Sequence, residues 1–141
     1  MTLIQKFLGA AATLALSAGA ALAEPALIFD LGGKFDKSFN EAAYAGAERW
    51  AKETGGTYKE LEMQSEAQRE QALRRLAEAG SNPIVMTGFA FGDVLAKVAP
   101  DYPKTRFAII DMVVEKPNVQ SVVFTEEQGS YLVGMMAAKA S

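Results

Sequence analysis

From Pro25 onward, short apolar runs alternate with amphipathic stretches. Ala26-Leu27-Ile28-Phe29 is an unbroken apolar run of strand length, ended by Asp30 and then Gly32-Gly33. Ser38-Phe39-Asn40-Glu41 has the form of a capping box, in which the Ser hydroxyl and the Glu carboxylate each satisfy a backbone N–H. Phe39, Ala43, Ala47 and Trp50 follow at helical spacing and mark one face. Gly46 lies on that face, where the missing side chain admits a close neighbour, and Gly55-Gly56 stops the helix. The unit then repeats. Residues 57–63 alternate weakly and are predicted as a strand, and Ser65 with Gln68 forms a second box. The next helix carries Ala72, Leu73, Leu76 and Ala77 on one face and ends at Gly80. Glu70 and Arg74 form an i,i+4 pair on its wet side, and Arg69, Arg74 and Arg75 are assigned to that solvated face.

The pattern continues in the same way. Pro83-Ile84-Val85-Met86 is a buried-type run ended by Thr87-Gly88. Phe91, Val94, Leu95 and Val98 mark a short helix stopped by Pro100. Residues 106–110 form another run, ended by Asp111, and a Lys116-Pro117-Asn118 turn leads into a predicted strand over residues 121–124. Thr125 and Gln128 make a third box, opening a helix through Tyr131, Leu132, Met135 and Met136. Unbroken apolar strands separated by helices imply a mostly parallel sheet covered on both faces, in an open, doubly wound α/β domain. The last helix has neither a C-cap glycine nor a closing strand, so residues 24–141 are expected to be a truncated piece of a larger fold.

Composition narrows the chemistry. The 141 residues contain no Cys and no His, which removes disulfides, thiol nucleophiles, thiolate metal sites, histidine-based triads and imidazole ligands. A net charge of −3 without a Lys/Arg cluster argues against a nucleic-acid partner. Residues 1–23 hold Lys6 as their one charge, an apolar stretch over residues 7–16 and a small-x-small triplet, Ala21-Leu22-Ala23. That is the layout of a cleavable secretory signal peptide, and export is expected. With no Cys, there is no attachment point for a lipoprotein anchor.

In open α/β sheets the ligand crevice lies beyond the carboxyl ends of the strands. Three predicted strands end in Asp30, Thr87-Gly88 and Asp111, which a parallel sheet would place on one edge. The first capping box adds Ser38, Phe39 and Asn40. The candidate ligand-binding set is therefore Asp30, Ser38, Phe39, Asn40, Gly88 and Asp111. Phe39 can equally be the top of the apolar helix face, Asn40 a helix-start residue, Ser38 a cap and Asp111 a turn residue. The set favours binding over catalysis, because no nucleophile motif, dinucleotide fingerprint or P-loop is present. An aromatic ring, an amide and two carboxylates suit a flat, neutral ligand with donors on its edge, such as a nucleobase. The carboxylates disfavour phosphorylated ligands, although Lys34, Lys37 and a helix N-terminus act in the opposite sense. No metal and no cofactor are expected.

The stretch from Asp30 to Asn40, Asp-Leu-Gly-Gly-Lys-Phe-Asp-Lys-Ser-Phe-Asn, resembles the first signature of the basic membrane protein (PnrA-like) family. Gly88-Phe89-Ala90-Phe91, the run from Phe107 to Asp111, and the stretch from Phe124 to Tyr131 resemble its later blocks in the same order. The resemblance covers residues 25–141. It implies the N-terminal lobe of a two-lobed, type I periplasmic-binding-protein fold that closes on its ligand by hinge motion. It also implies a purine nucleoside or similar ligand, with the base stacked on Phe39 and its edge bound by Asn40, Asp30 and Asp111. ABC transporter permease subunits in the inner membrane are the implied partners, and a periplasmic monomer the implied form. A sugar- or autoinducer-type receptor of the same architecture is the alternative, and a secreted nucleoside hydrolase using Asp30 or Asp111 is a further one.

Overall fold

The structure, a computed structural model, describes residues 23–140; the expected signal peptide lies outside the described residues except for Ala23. Five strands form one all-parallel sheet in the order β2-β1-β3-β4-β5. They are β1 (Ala26–Phe29), β2 (Lys59–Glu62), β3 (Ile84–Thr87), β4 (Phe107–Ile110) and β5 (Val119–Val122). The helices are α1 (Phe39–Thr54), α2 (Arg69–Glu78), α3 (Gly92–Val98) and α4 (Glu126–Ala140), with short 3-10 turns preceding α2 and flanking α3. The chain steps from β1 outward to β2, then returns past β1 to β3. That reversal creates a topological switch point between β1 and β3, the place where such sheets bind ligands.

The two faces of the sheet are unequally covered. Ala26 and Ile28 of β1, Ile84 and Met86 of β3, and Phe107 and Ile109 of β4 point to one face. There they meet Ala72, Leu73, Leu76 and Ala77 of α2 and Leu95 and Val98 of α3, forming one buried cluster. The apolar faces expected for α2 and α3 are thus the faces that pack. Alternate residues, Leu27, Val85 and Ile110, point to the opposite face, beneath α1. Ala43, Gly46, Ala47 and Trp50 of α1 overhang them across a groove of about 420 Å³. Among the described residues of α1, only Asn40 is buried. The face marked by Phe39, Ala43, Ala47 and Trp50 is therefore the sheet-facing side, as predicted, but its small side chains leave it half covered. α4 is exposed along its whole length.

One strand expectation shifts. β5 begins two residues earlier than predicted, because the ladder starts where Phe107 N–H reaches the Asn118 carbonyl and ends where Asp111 N–H reaches that of Val122, at 2.9 and 2.7 Å. Val123 and Phe124 are left beyond the ladder, exposed. β2 (Lys-Glu-Leu-Glu) alternates as its sequence suggests, and β5 (Val-Gln-Ser-Val) alternates too, as suits edge strands that meet solvent.

The capping boxes are also not as read from sequence. Ser38 and Ser65 make no side-chain cap. Before α1, the Asp36 carboxylate accepts from the N–H groups of Ser38, Asn40 and Glu41 at 2.8, 3.2 and 3.1 Å. Glu41 reaches back to Lys37 N–H at 3.0 Å. The reciprocal logic survives, but the left-handed backbone at Lys37 (φ 57°) moves the acceptor two residues upstream. Before α2, Gln68 Oε1 accepts from Gln64 N–H at 3.2 Å. At the start of α4, the observed bond runs from Gln128 N–H to the Thr125 carbonyl.

Candidate functional site

The carboxyl edge at the switch point is built around Asn40. Its Nδ2 donates to the carbonyls of Asp30 and Gly33, both at 3.1 Å. Its Oδ1 accepts from Asp30 N–H at 3.1 Å and from the Thr87 hydroxyl at 2.6 Å. Four bonds satisfy the whole capacity of a side-chain amide, and the residue is 2% exposed. In this arrangement every hydrogen-bonding position of the Asn40 amide is taken by the protein itself. Asn40 ties the end of β1, the end of β3 and the first turn of α1 together.

Asp30 stands at the end of β1, half-buried, with Oδ1 accepting from Arg69 Nε and Nη2 at 3.1 and 2.8 Å. Arg69 is buried, and its guanidinium lies 5.5 Å from the centroid of Phe91. This corrects its assignment to the solvated helix face. Arg69 opens α2, and in a parallel sheet every helix start faces the strands' carboxyl ends. That placement was the available signal. Arg74, by contrast, does lie on the wet side, paired with Glu70 and Asp101, and Arg75 is exposed.

Gly88 follows β3 with φ of +96°, a conformation that side chains disfavour. A Cβ there would stand 3.3 Å from Asp30 Oδ2, so the glycine keeps that oxygen clear. Phe39 opens α1 with 43% of its surface exposed and its ring 6.4 Å from that of Phe124. Ser38 is exposed and contributes a backbone N–H to Asp36. Asp111 closes β4 with φ of +73°. Its charge raises the pKa of Glu126, helped by partial desolvation, a hydrogen bond between the two carboxyls and nearby Glu127. Asp30, Asn40 and Gly88 thus converge on one corner. Asp111 stands one strand further, beside Glu126, and Ser38 takes no part in the corner.

The β1–α1 loop is anchored from outside. Lys34 forms an ion pair with Glu60 and lies 4.4 Å from the Tyr44 ring centroid. Asp36 holds the helix start. Desolvation acts to raise its pKa, but the backbone N–H groups of Glu41, Ser38, Asn40 and Asp36 itself outweigh it and keep the carboxyl below its ordinary value of 3.8. A depressed carboxylate contributes stability that is present above the unfolded value and lost as pH falls through the folded one. We expect Asp36→Asn, which keeps an acceptor, to flatten the acid side of the stability–pH curve below about pH 4. Urea unfolding at pH 3 to 7 measures this, and an unchanged acid slope would count against the assignment.

With this geometry in view, residues 24–141 match the ABC transporter substrate-binding proteins of the PnrA-like, or Bmp, family. The chain belongs to that family. An uncharacterized lipoprotein of Pyrococcus furiosus is 36% identical over 116 residues, 80% of this chain and 29% of the relative. The protein named ABC transporter nucleoside-binding protein BmpA of Lactococcus lactis is 32% identical over 123 residues, covering 82% of this chain and 34% of its own length. A solute-binding protein of an ABC transporter system from Aeropyrum pernix superposes with a TM-score of 0.77 at 37% identity, covering 82% of this chain and 32% of that structure. The chain therefore spans about a third of the length of the relatives it matches. The family consists of transporter binding components, not enzymes. Among the described residues, no helix is long and apolar enough to cross a membrane.

Proposed function

We propose that the full-length protein is the nucleoside-binding component of an ABC importer, acting outside the cytoplasmic membrane and delivering its ligand to permease subunits. The observation that carries this reading is Phe39. Its spacing puts it in register with the sheet-facing side of α1, yet 43% of its surface is exposed at the switch-point edge. An exposed ring on the sheet edge that also carries Asp30 suits a flat ligand whose edge carries N–H groups. The naming of the Lactococcus lactis relative as nucleoside-binding supports the same class. In this reading Phe39 stacks the base, and Asp30 and Asp111 accept from it. The backbone around Gly88 permits close approach, and the protein works as a monomer without an anchoring lipid.

Calorimetry on the full-length protein with adenosine, guanosine, inosine, uridine and ribose tests the class. Binding of at least one nucleoside is expected, and a protein that binds ribose but no nucleoside would be a sugar-type receptor instead. In the same assay Phe39→Ala should weaken nucleoside binding about tenfold or more, since base–aromatic stacking is worth about 1–3 kcal/mol. An unchanged affinity would return Phe39 to a packing role.

A further inference from the structure

We propose that Arg69 is the positioning residue of this ligand edge: it clamps Asp30 by one oxygen, so that the other, Oδ2, is the acceptor offered to the ligand. The inference rests on the reading of Asp30 as a ligand contact given above.

Two donors of the guanidinium, Nε and Nη2, converge on the single oxygen Oδ1. Among the described residues, no hydrogen bond reaches Oδ2. The backbone of Asp30 is already held, since its N–H donates to both Asn40 Oδ1 and Thr87 Oγ1 and its carbonyl accepts from Asn40 Nδ2. The rotation of the carboxylate is what remains to be set, and Arg69 sets it. On the far side Gly88, held at a φ of +96°, leaves open the space that a side chain would take from Oδ2. The guanidinium itself cannot swing away easily, because it lies over the buried Phe91 ring.

Stability alone does not explain an arginine here. A cation at the start of a helix opposes the helix dipole, and burying it carries a desolvation penalty. A buried ion pair often contributes no more than a well-packed apolar pair of the same volume. The neighbouring core is apolar and could have supplied one. What the arginine adds is direction: a planar fork fixes a carboxylate in a way that neither an apolar residue nor a single ammonium can.

The test uses the full-length protein and the nucleoside it binds best among adenosine, guanosine, inosine and uridine. Calorimetry compares wild type, Asp30→Asn, Arg69→Met, the double variant, Arg69→Lys and, as a control on exposed Arg75, Arg75→Met. Asp30→Asn and Arg69→Met should each weaken binding about tenfold, and the double variant should be no weaker than either, because Arg69 acts through Asp30. Arg69→Lys should fall between wild type and Arg69→Met, and Arg75→Met should match wild type. An unchanged affinity in Arg69→Met, or a double variant about a hundredfold weaker, would overturn the proposal. A second arm needs no ligand. Crystal structures of the unliganded wild type and Arg69→Met should show the Asp30 carboxylate turned away from its wild-type orientation in the variant, with the backbone of residues 29–31 unmoved. A carboxylate that stays in place overturns the positioning role even if no nucleoside binds. A turned carboxylate in a protein that binds no nucleoside rejects the nucleoside reading alone. Arg69→Lys serves in both arms if Arg69→Met does not fold.

Discussion

Asn40→Ala is expected to destabilise the fold by about 2–4 kcal/mol. Removing the amide leaves the carbonyls of Asp30 and Gly33 without their donor and opens a void between α1 and the sheet. Asp30 N–H and the Thr87 hydroxyl retain partial compensation, since the N–H still donates to Thr87 Oγ1 and the hydroxyl, released from Asn40, can turn its one hydrogen to the Ile28 carbonyl at 3.2 Å. Asn40→Asp has the same shape but turns the donor nitrogen into an acceptor facing two carbonyls. At pH 7 it should be at least as destabilising as Asn40→Ala. Its deficit should shrink as the pH is lowered, because a protonated carboxyl can donate again and the buried charge disappears. Urea unfolding at pH 7 and pH 5 separates the two variants. If Asn40→Ala were as stable as wild type while nucleoside binding was lost, Asn40 would be a ligand contact and not the keystone described here.

Phe107→Ala should cost about 3–5 kcal/mol, whereas Val85→Ala, on a neighbouring strand, should cost under about 1.5 kcal/mol. Both positions belong to apolar runs of the same kind. Phe107 is 1% exposed and stands in the cluster formed with α2 and α3, so truncation leaves a cavity that close-packed neighbours cannot fill. Val85 faces the groove beneath α1, where the wall is already open. Chemical denaturation of the two variants measures the asymmetry of the sheet directly. Equal costs would mean that the α1 face is as tightly packed in solution as the other.

That asymmetry marks where reading the sequence reached its limit. Leu73, Leu76, Leu95 and Val98 recur at helical spacing, and they are buried as the spacing says. Phe39, Ala43, Ala47 and Trp50 recur just as regularly, yet the helix that carries them only half covers its side of the sheet. Periodicity reports which side of a helix is apolar; it does not report how deeply that side is buried, which depends on the size of the facing side chains and on what else covers the sheet. The apolar residues of α4, such as Leu132 and Met136, make the same point, being exposed despite their pattern.

The polar residues divide in the same way. Asp30, Gly88 and Asp111 were legible as strand-end residues because an apolar run that stops at a polar residue marks the edge of a parallel sheet. The roles of Asn40 and Arg69 were not. Asn40 is spent on backbone groups 7 and 10 residues away in sequence and on Thr87, 47 residues away. Arg69 meets a carboxylate 39 residues upstream. Such partners are set by which strands become neighbours, and no local spacing encodes that.

By itself, then, the sequence determined the α/β class, the succession of strands and helices, and the edge on which polar residues gather, because these follow from local periodicity and from where apolar runs stop. Only the tertiary structure decided the strand order β2-β1-β3-β4-β5, and with it the switch point between β1 and β3. It also decided that the Asn40 amide is spent on Asp30, Gly33 and Thr87, and that Arg69 turns inward to Asp30. Those outcomes depend on distances between segments far apart in the chain, where hydrogen-bond capacity and the desolvation of charge, not spacing, choose each partner.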